Sequence, residues 1–417
     1  MYKAIIVGAN FQNNNLIDYY MEELQNLAEA CDIEVLYSIT QAIDKITPNL
    51  YIGSGKVKEI KGFATNLDAD LVIFNNELSG SQIRNLEEAI GVRVIDRTLL
   101  ILDIFASRAK TKEAMLQVEI AQLEYMLPRL AGLTPSLNRQ QGGIGSKGPG
   151  EKKIELDRRK IENDRSKLKK ELEEIVKARK VQRKNRTKSS IKRVAVVGYT
   201  NAGKSTLVNA LIDFTNKDTD KKVYTENMLF ATLETSTRHI ILDNNKEFLI
   251  TDTVGFVSNL PHNLVESFKS TLEEISEADL LLHVVDSNHE FYEKQIEITL
   301  STLSEIGVHD IPMIYLYNKS DLLKKPIYPS HNPHLILSLK DEIDVALLLQ
   351  KIENELYKED YIVTLLVPFT EGDLVSYFNE NAKIITQEYT NDGTLITVEL
   401  NPILVSKYAN YIIKMDQ

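Results

Sequence analysis

The stretch Arg193–Thr206 reads RVAVVGYTNAGKST and predicts the fold of the central part of the chain. The β-forming run from Val194 to Val197 leads into the spacing G-x-x-x-x-G-K-S, which spans Gly198 to Ser205, and a helix-like run follows. A strand, a glycine-rich turn and a helix N-terminus form a phosphate-binding loop, because successive backbone N–H groups and the helix dipole face the anion. The spacing therefore predicts a nucleoside-triphosphate site in an α/β domain.

Three residues of this loop have predicted chemical roles. Lys204 is expected to reach the β- and γ-phosphates, and the Ser205 hydroxyl is expected to ligate Mg²⁺. Asn201 is a candidate ligand for a monovalent cation such as K⁺, which would substitute for an arginine finger. The alternative role of Asn201 is that of a turn-forming residue, and its chemistry favours neither reading.

The motif Asn318-Lys319-Ser320-Asp321 follows an apolar strand and predicts which base is bound. The Asp321 carboxylate only accepts hydrogen bonds, and guanine offers N1–H and N2–H₂ as a matched pair of donors. Adenine has an acceptor at N1, and a site built round such a pair rejects the wrong partner by about 10⁴-fold or more. Asn318 is expected to brace the phosphate loop, Lys319 to lie over the base, and Ser338–Lys340 to offer a backbone N–H to guanine O6.

Asp252-Thr253-Val254-Gly255 follows another predicted strand and has the spacing of a GTPase switch. Asp252 is expected to hold Mg²⁺ through a water, and the Gly255 N–H to sense the γ-phosphate, so loss of that phosphate would release the switch loops. Thr232 is the expected second Mg²⁺ ligand, because it lies between a polar stretch and Asp252. The alternatives that the chemistry leaves open are Thr225, Thr235 and Thr237.

Phe256 stands where many GTPases have a glutamine that orients the attacking water. Phenylalanine cannot hydrogen-bond that water, so we expect slow intrinsic hydrolysis that awaits a partner. Arg238 is the candidate within the chain for an arginine finger, but the sequence assigns no finger.

Charge is distributed unevenly along the 417 residues, whose formal net charge is −11. Between Arg139 and Arg193 there are 20 Lys and Arg residues against 8 Asp and Glu residues, which leaves 29 basic and 52 acidic residues elsewhere. A basic element on an acidic body is typical of a protein that contacts a polyanion along one edge. A solvated, charged helix would have the same composition.

Length and composition predict a multidomain, globular α/β protein. No apolar run approaches the roughly 20 residues of a membrane span, and Met1–Gly8 has the character of a first strand rather than a signal peptide. The single cysteine, Cys31, cannot form an internal disulfide and is expected to pack as a small apolar residue. We expect a cytoplasmic monomer.

Four units are predicted. Residues 1–97 form an α/β unit with a parallel sheet, 98–190 a helical hairpin with a basic linker, 191–357 the P-loop GTPase domain, and 358–417 a small α/β unit. In the first unit, Tyr51–Lys56 (YIGSGK) lacks the spacing of a phosphate loop and favours a turn before a helix. In the last, Asn391-Asp-Gly393 predicts a hairpin, and Ile403–Ile413 a closing helix.

The predicted hairpin has two helical apolar seams and a glycine-rich tip. From Thr98 the pattern is that of long helices, and apolar residues repeat at spacings of four and three between Leu116 and Leu130. A second seam from Ile154 to Ile175 has a seven-residue spacing, and Lys177–Arg193 is expected to be a linker. The tip, residues 139–150, is either a flexible connector or a close-approach surface for phosphates.

These features together resemble the HflX family of ribosome-associated GTPases over essentially the whole chain. The specific part is the tip, where Gly142–Glu151 (GGIGSKGPGE) and Glu155–Arg159 (ELDRR) are similar to the family signature. Phe230–Leu233 (FATL) resembles the first switch and supports Thr232. Two further stretches, Asp252–Phe256 (DTVGF) and Leu260–Val265 (LPHNLV), resemble the second switch of the family.

The resemblance implies a GTPase that binds the large ribosomal subunit, is stimulated by ribosomes, and splits or rescues stalled or idle ones. The predicted GTP-binding residues are Gly198, Tyr199, Thr200, Asn201, Ala202, Gly203, Lys204, Ser205, Thr206, Phe230, Ala231, Thr232, Leu233, Glu234, Asp252, Thr253, Val254, Gly255, Asn318, Lys319, Ser320, Asp321, Ser338, Leu339 and Lys340. Catalytic roles fall to Lys204, Thr232 and Gly255. The predicted contacts to ribosomal RNA are Arg139, Gly142, Gly143, Lys147, Gly148, Gly150, Lys152, Arg158 and Arg159.

Two other functions fit parts of the sequence. One is a nucleotide-gated ribosome-binding module whose output is occupancy, with hydrolysis only for recycling. The other is a GTPase that signals to proteins alone, which the basic segment disfavours.

Overall fold

The residues described by a computed structural model form three β-sheets with associated helices. The structure describes residues 1–12, 14–130, 149–186, 191–215, 236–258 and 275–416, with backbone only for 149–154, 179–186 and Asp416. In these ranges we find no helix with the length and apolar character needed to cross a bilayer. The predicted mixed α/β architecture is confirmed, with a parallel-sheet unit, a central α/β unit and a small C-terminal unit.

The first sheet is wholly parallel, with the order β2-β1-β3-β4. Its strands are β1 (Tyr2–Phe11), β2 (Ile33–Ile43), β3 (Leu71–Phe74) and β4 (Arg93–Asp96). The helices between them are α1 (Ile17–Glu29), α2 (Ser54–Asn66) and α3 (Gly80–Ile90). Because α2 begins at Ser54 and Lys56 forms an ion pair with Glu59 at 2.8 Å, the stretch Tyr51–Lys56 is a turn that leads into a helix. Cys31 is half-buried against the apolar core of this unit.

The region after the first sheet differs from the long helix expected from Thr98. It forms two helices, α4 (Arg97–Arg108) and α5 (Lys112–Met126), because Asp96 caps the first and Thr111 caps the second through their side chains. Apolar residues of α4 are fully buried in the core beneath the sheet, so α4 belongs to the N-terminal packing and not to the hairpin.

The helix α6 (Pro149–Arg186) packs on α5. Lys112 at the start of α5 pairs with Glu171, whereas Glu124 near its end pairs with Lys169 and Arg165, as expected of antiparallel helices. The helix continues through most of the predicted linker Lys177–Arg193, because that stretch is polar but contains no glycine or proline to end a helix.

The hairpin is anchored to the first sheet through Arg129. This buried guanidinium donates to the Leu78 and Tyr125 carbonyl oxygens at 3.1 and 2.9 Å, and to Asp96 at 3.4 Å. Gly80 allows the close approach, since a Cβ there would lie 2.7 Å from the Arg129 backbone. The end of α5 and the residues after it are therefore packed and hydrogen-bonded against the N-terminal unit.

The second sheet has six strands in the order β10-β9-β8-β5-β7-β6 and is parallel except for β6. Its strands are β5 (Lys192–Gly198), β6 (Ser236–Ile241), β7 (Glu247–Asp252), β8 (Leu280–Asp286), β9 (Met313–Asn318) and β10 (His334–Ile336). The helices are α7 (Lys204–Thr215), Tyr292–Glu305 and Glu342–Leu356. Five parallel strands end at one edge, which is where ligands of open α/β sheets lie.

The third sheet is antiparallel, with the order β12-β13-β11-β14. Its strands are β11 (Tyr361–Val367), β12 (Lys383–Tyr389), β13 (Thr394–Leu400) and β14 (Ile412–Asp416), and its helices are Gly372–Asn381 and Pro402–Lys407. The closing helix expected over Ile403–Ile413 is wrong: it ends at Lys407, and the chain turns and pairs as β14 with β11. The pairing gives hydrogen-bond partners to the backbone groups at the edge of β11, which a continued helix would leave unpaired.

Candidate nucleotide site

The phosphate loop connects β5 to α7, as its spacing predicts. Gly198 and Gly203 have φ angles of +143° and +105°, in the region that only glycine adopts without strain. A Cβ at Gly203 would collide with the Asn318 amide, and one at Gly198 with the Val284 carbonyl oxygen. Both glycines are therefore needed for backbone conformation and for close packing.

Lys204 lies inside the loop and is buried. Its ammonium donates a hydrogen bond to the Tyr199 carbonyl oxygen at 2.6 Å. Burial lowers the pKa of Lys204 to about 8, and the nearby Asp252 carboxylate opposes that shift. A bound phosphate would supply the negative charge that such an ammonium lacks.

Ser205 and Asp252 lie together at the end of the loop. The Ser205 hydroxyl donates to Asp252 Oδ2 at 2.6 Å, and Asp252 is fully buried at the end of β7. A hydroxyl beside a buried carboxylate is a suitable site for Mg²⁺, because this ion prefers oxygen ligands and usually retains several of its water ligands. Within the described ranges there is no group of three or more His, Cys, Asp or Glu side chains that could hold a metal.

The base-recognition motif follows β9 and contacts the phosphate loop. The Asn318 amide donates to the Ala202 carbonyl oxygen at 2.9 Å, which is the bracing contact expected of it. Lys319 donates to the Asn201 carbonyl oxygen at 3.0 Å and pairs with Asp286 at 2.6 Å. The loop and the base motif are thus held in one arrangement.

Asp321 is held by the stretch after β10. It accepts hydrogen bonds from the Lys340 ammonium at 2.8 Å and the Ser338 hydroxyl at 3.0 Å, and these contacts lower the pKa of its carboxyl. The Leu339 N–H donates to the Asn318 side chain at 3.4 Å. An ionised, oriented carboxylate is what recognition of the guanine donors requires.

The segment Val254–Ser258 lies against the phosphate loop. Thr200 N–H donates to the Phe256 carbonyl oxygen at 2.8 Å, and Phe256 N–H donates to the Gly198 carbonyl oxygen at 3.2 Å. The Phe256 side chain is 2% exposed and belongs to the apolar core that includes residues of α1 and α4. Phe256 therefore supports the domain packing, and its ring is withdrawn from solvent.

Two buried polar residues that sequence reasoning missed, Glu23 and Arg97, adjoin this segment. Glu23 on α1 and Arg97 at the start of α4 form an ion pair at 2.5 Å, and Arg97 donates to the Ser258 carbonyl oxygen at 3.0 Å. The Tyr199 hydroxyl donates to Glu23. The sequence signal for Glu23 is slight, because α1 contains four carboxylates and Glu23 directly follows the exposed Glu22.

Some predicted residues lie elsewhere or outside the described ranges. Residues 216–235 lie outside the described ranges, and the predicted site residues among them are Thr225, Phe230, Ala231, Thr232, Leu233, Glu234 and Thr235. Thr237 and Arg238 lie on β6, two strands away from β5; the Thr237 hydroxyl hydrogen-bonds that of Thr251 at 3.0 Å. Asn201 is exposed with φ +60°, a conformation suited to a turn that leaves its side chain accessible.

The predicted ribosome contacts are described only in part. Arg139, Gly142, Gly143, Lys147 and Gly148 lie outside the described residues, and for Gly150 and Lys152 only the backbone is described. Arg158 and Arg159 are exposed on α6 and form ion pairs one helical turn away, with Glu162 at 3.0 Å and Glu155 at 2.7 Å. Exposed pairs of this kind hold a side chain only weakly.

Comparison with known protein families covers most of the chain. The family described as "GTP-binding GTPase N-terminal" matches residues 18–106, and "GTP-binding GTPase Middle Region" matches 108–186. The family described as "50S ribosome-binding GTPase" matches residues 193–319.

Similar proteins are found at high identity. The chain is 47% identical over 394 residues to the GTPase HflX of Caldanaerobacter subterraneus subsp. tengcongensis, covering 94% of this chain and 90% of that protein. It is 38% identical to the GTPase HflX of Escherichia coli K12, covering 96% and 94%. A solved GTP-binding protein from Sulfolobus solfataricus, in complex with GDP, has a TM-score of 0.46 at 24% identity, covering 86% of this chain and 99% of that one.

Proposed function

This chain belongs to the HflX family of GTPases, and from that membership we propose that it binds the large ribosomal subunit and splits or rescues stalled or idle ribosomes. The chain is a GTP hydrolase with a P-loop GTPase domain. Its hydrolysis is stimulated by the ribosome, and it acts as a cytoplasmic monomer. The observation that carries the proposal is the guanine-nucleotide geometry at one sheet edge: Ser205 contacts Asp252, Asn318 contacts the phosphate loop at Ala202, and Ser338 holds Asp321.

The basic segment supports ribosomal RNA as the partner. Its local excess of Lys and Arg contrasts with an acidic remainder, and its helix α6 presents Arg158 and Arg159 to solvent. RNA phosphates attract such a surface, and the attraction weakens steeply with salt because counterions are released on binding. The same basic surface would also attract an acidic protein, so the dependence of binding on RNA has to be measured.

The metal requirement of the GTPase is Mg²⁺. In our proposal Ser205 and Thr232 ligate the ion and Asp252 holds one of its waters. When bound, Mg²⁺ neutralises charge on the β- and γ-phosphates. This chain's own part is to orient the hydroxyl and the carboxylate, which the contact at 2.6 Å already does.

For Asn201 we propose a K⁺-binding role. Its exposed side chain at the loop supports this, and its left-handed backbone supports the turn-forming alternative equally. GTP turnover in KCl and in NaCl separates the two: a K⁺ ligand predicts faster turnover in KCl and loss of that difference in Asn201→Gly. Equal turnover in both salts would leave Asn201 as a turn residue.

The decisive measurement is GTP turnover with and without purified ribosomal subunits. We expect low turnover alone and a rise of at least tenfold with large subunits, because Phe256 leaves the attacking water without a side-chain partner. Small subunits alone are the control. Equal turnover with and without large subunits would contradict the proposal.

Binding is tested by co-sedimentation with a non-hydrolysable GTP analogue at several salt concentrations. The double variant Arg158→Gln, Arg159→Gln is expected to bind more weakly and to reduce the slope of log affinity against log salt by about one per lost phosphate contact. The matched control is Lys324→Gln, Lys325→Gln, an exposed pair on the GTPase domain with the same charge change. A variant lacking Gly142–Gly150 should lose the ribosome effect and keep nucleotide binding.

The burial of Phe256 also favours a second candidate, a nucleotide-gated binding module for ribosome inactivation or subunit assembly control. In that case the protein needs only bound GTP to occupy or split the ribosome. GTP hydrolysis then serves only to release the protein for another round. Equal single-round action with GTP and with the non-hydrolysable analogue would favour this second function. Loss of action with the analogue would exclude it.

A further inference from the structure

A buried carboxylate of the N-terminal unit holds the phosphate loop and the segment after Asp252 at once. Glu23 accepts hydrogen bonds from the Tyr199 hydroxyl and the Ser258 hydroxyl, and also from Ser258 N–H at 3.2 Å. Ser258 N–H is also 2.6 Å from the Tyr199 hydroxyl oxygen. Arg97 completes the group through its ion pair with Glu23, and Glu23, Arg97 and Ser258 are all at least 95% buried.

The segment held by this group is closed over the phosphate loop. Phe256 pairs with Tyr199 as an extension of the parallel sheet. As a result, Gly255 lies so near the loop that a Cβ on it would be 2.8 Å from both Lys204 Nζ and Thr200 Cγ2. Two donors of the loop are already used, because Thr200 N–H binds the Phe256 carbonyl oxygen and Lys204 binds that of Tyr199.

This closed position of the segment leaves little room for the γ-phosphate of GTP, whereas it interferes much less with the β-phosphate of GDP. A γ-phosphate lies between the P-loop lysine and the glycine of the D-x-x-G motif. A Cβ on Gly255 would also lie 2.9 Å from the Thr200 Cα, so Gly255 packs directly against the backbone of the phosphate loop, and a phosphoryl group placed between them requires the segment to move away. A diphosphate binds to the N–H groups deeper in the loop, at the start of α7, so its binding requires less movement of Gly255.

We propose that Glu23 is a specificity-determining residue that sets the preference of the nucleotide site between GDP and GTP. It does so as a positioning residue: by holding Ser258 and Tyr199, it keeps Gly255 against Lys204. Triphosphate binding must then break hydrogen bonds to a buried carboxylate, and diphosphate binding need not. This control acts in the protein alone, without a ribosome, and so goes beyond the proposed function.

The chemistry of the group suggests a near-isosteric test. Every hydrogen bond that reaches Glu23 from Arg97, Tyr199 and Ser258 is donated to it. In Glu23→Gln the carboxamide nitrogen must face one of these donors, so at least one bond is replaced by a repulsive contact while the size is unchanged. Bonds to a buried charged group are worth enough that we expect a change of about tenfold or more.

The experiment measures the Kd of GDP and of a non-hydrolysable GTP analogue for the purified full chain, without ribosomes. In Glu23→Gln the ratio of the Kd for the analogue to the Kd for GDP should fall by about tenfold or more. The matched control is Glu22→Gln, an exposed neighbour on α1 with the same charge change, for which the ratio should stay within twofold. An unchanged ratio in Glu23→Gln, or an equal change of both Kd values, would overturn the proposal.

A second variant decides the question should Glu23→Gln not fold. Tyr199→Phe keeps the ring in the apolar core and removes the hydroxyl that links Glu23 to Ser258 N–H. It should shift the same ratio in the same direction, by several-fold, whatever its melting temperature. A folded Tyr199→Phe protein with the wild-type ratio would also overturn the proposal, whereas failure of ribosome binding would leave this outcome unaffected.

Discussion

The hydroxyl of Tyr199, in the phosphate loop, donates a hydrogen bond to the carboxylate of Glu23, which precedes it by 176 residues in the chain. Both residues are at most 5% exposed, and Tyr199 shares an apolar core with α1 and α4. The nucleotide site is therefore built against the N-terminal unit as well as within the GTPase domain. A movement of either unit relative to the other would change the surroundings of the phosphate loop.

The base preference should change in Asp321→Asn. Guanine offers two donors to the carboxylate, whereas xanthine offers one donor and one acceptor, which match a carboxamide. We expect the affinity for GDP to fall by about 10²-fold or more and that for xanthosine diphosphate to rise. Competition of both nucleotides against a fluorescent GDP analogue measures this, with the exposed loop substitution Asp310→Asn as the control. Retained guanine preference would show that another residue reads the base.

Nucleotide affinity should depend on pH through Lys204. Its pKa is lowered to about 8 in the nucleotide-free site, so the ammonium is increasingly neutral above that pH. The phosphates require the charged form, so binding takes up a proton and the affinity for GDP should fall as pH rises from about 8 to 9. Calorimetry in buffers of different ionisation enthalpy measures the uptake.

The internal control for this prediction is GDP binding at pH 7. There Lys204 is already charged in the free protein, and we expect little proton uptake by this residue. The stability of the nucleotide-free protein should have the opposite trend: the unfolded chain holds this proton up to about pH 10.5 and the folded one only to about 8, so this group's contribution to stability rises with pH in that window. No uptake at pH 9 would contradict the lowered pKa.

Phe256→Gln should not create the catalytic glutamine found in many GTPases. The side chain at this position lies in the core shared with the N-terminal unit, so a glutamine there buries an amide and loses apolar contacts. We expect the free energy of unfolding to fall by about 2–4 kcal/mol, with no rise in GTP turnover. Phe369→Gln, at a position 60% exposed, is the control. A tenfold faster turnover would mean that residue 256 reaches the nucleotide.

Asp360→Asn should stabilise the protein near neutral pH. Burial first, and then the neighbouring Glu399 carboxylate, raises the pKa of Asp360 to about 6, while Lys246 opposes the shift. The folded chain therefore keeps a proton that the unfolded chain loses near pH 4, and stability falls as pH rises from about 4 to 6. Thermal denaturation should give a higher Tm for the variant at pH 7.5 and equal values at pH 4. The exposed turn substitution Asp392→Asn should show no such difference.

Local sequence predicted the elements whose conformation depends on near neighbours. The glycines and the spacing of Gly198–Ser205 predict the loop, because the turn and the helix N-terminus lie within a few residues. The sequence also predicts that Asn318 braces the phosphate loop, and its amide donates to the Ala202 carbonyl oxygen there. The run Ile403–Ile413 is helical only as far as Lys407, because its apolar pattern fits either structure and the chain from Ile412 pairs with the free edge of β11.

The sequence by itself determined that the chain has a phosphate loop, a guanine-recognition motif and a basic helical arm, because each is written in contiguous residues. Only the tertiary structure decided that Glu23, Arg97 and Ser258 form a buried group and that Phe256 packs against another unit. These contacts join segments up to 235 residues apart, and no local spacing encodes them. Burial, which makes the Glu23 carboxylate depend on its donors, is a property of the packed units together.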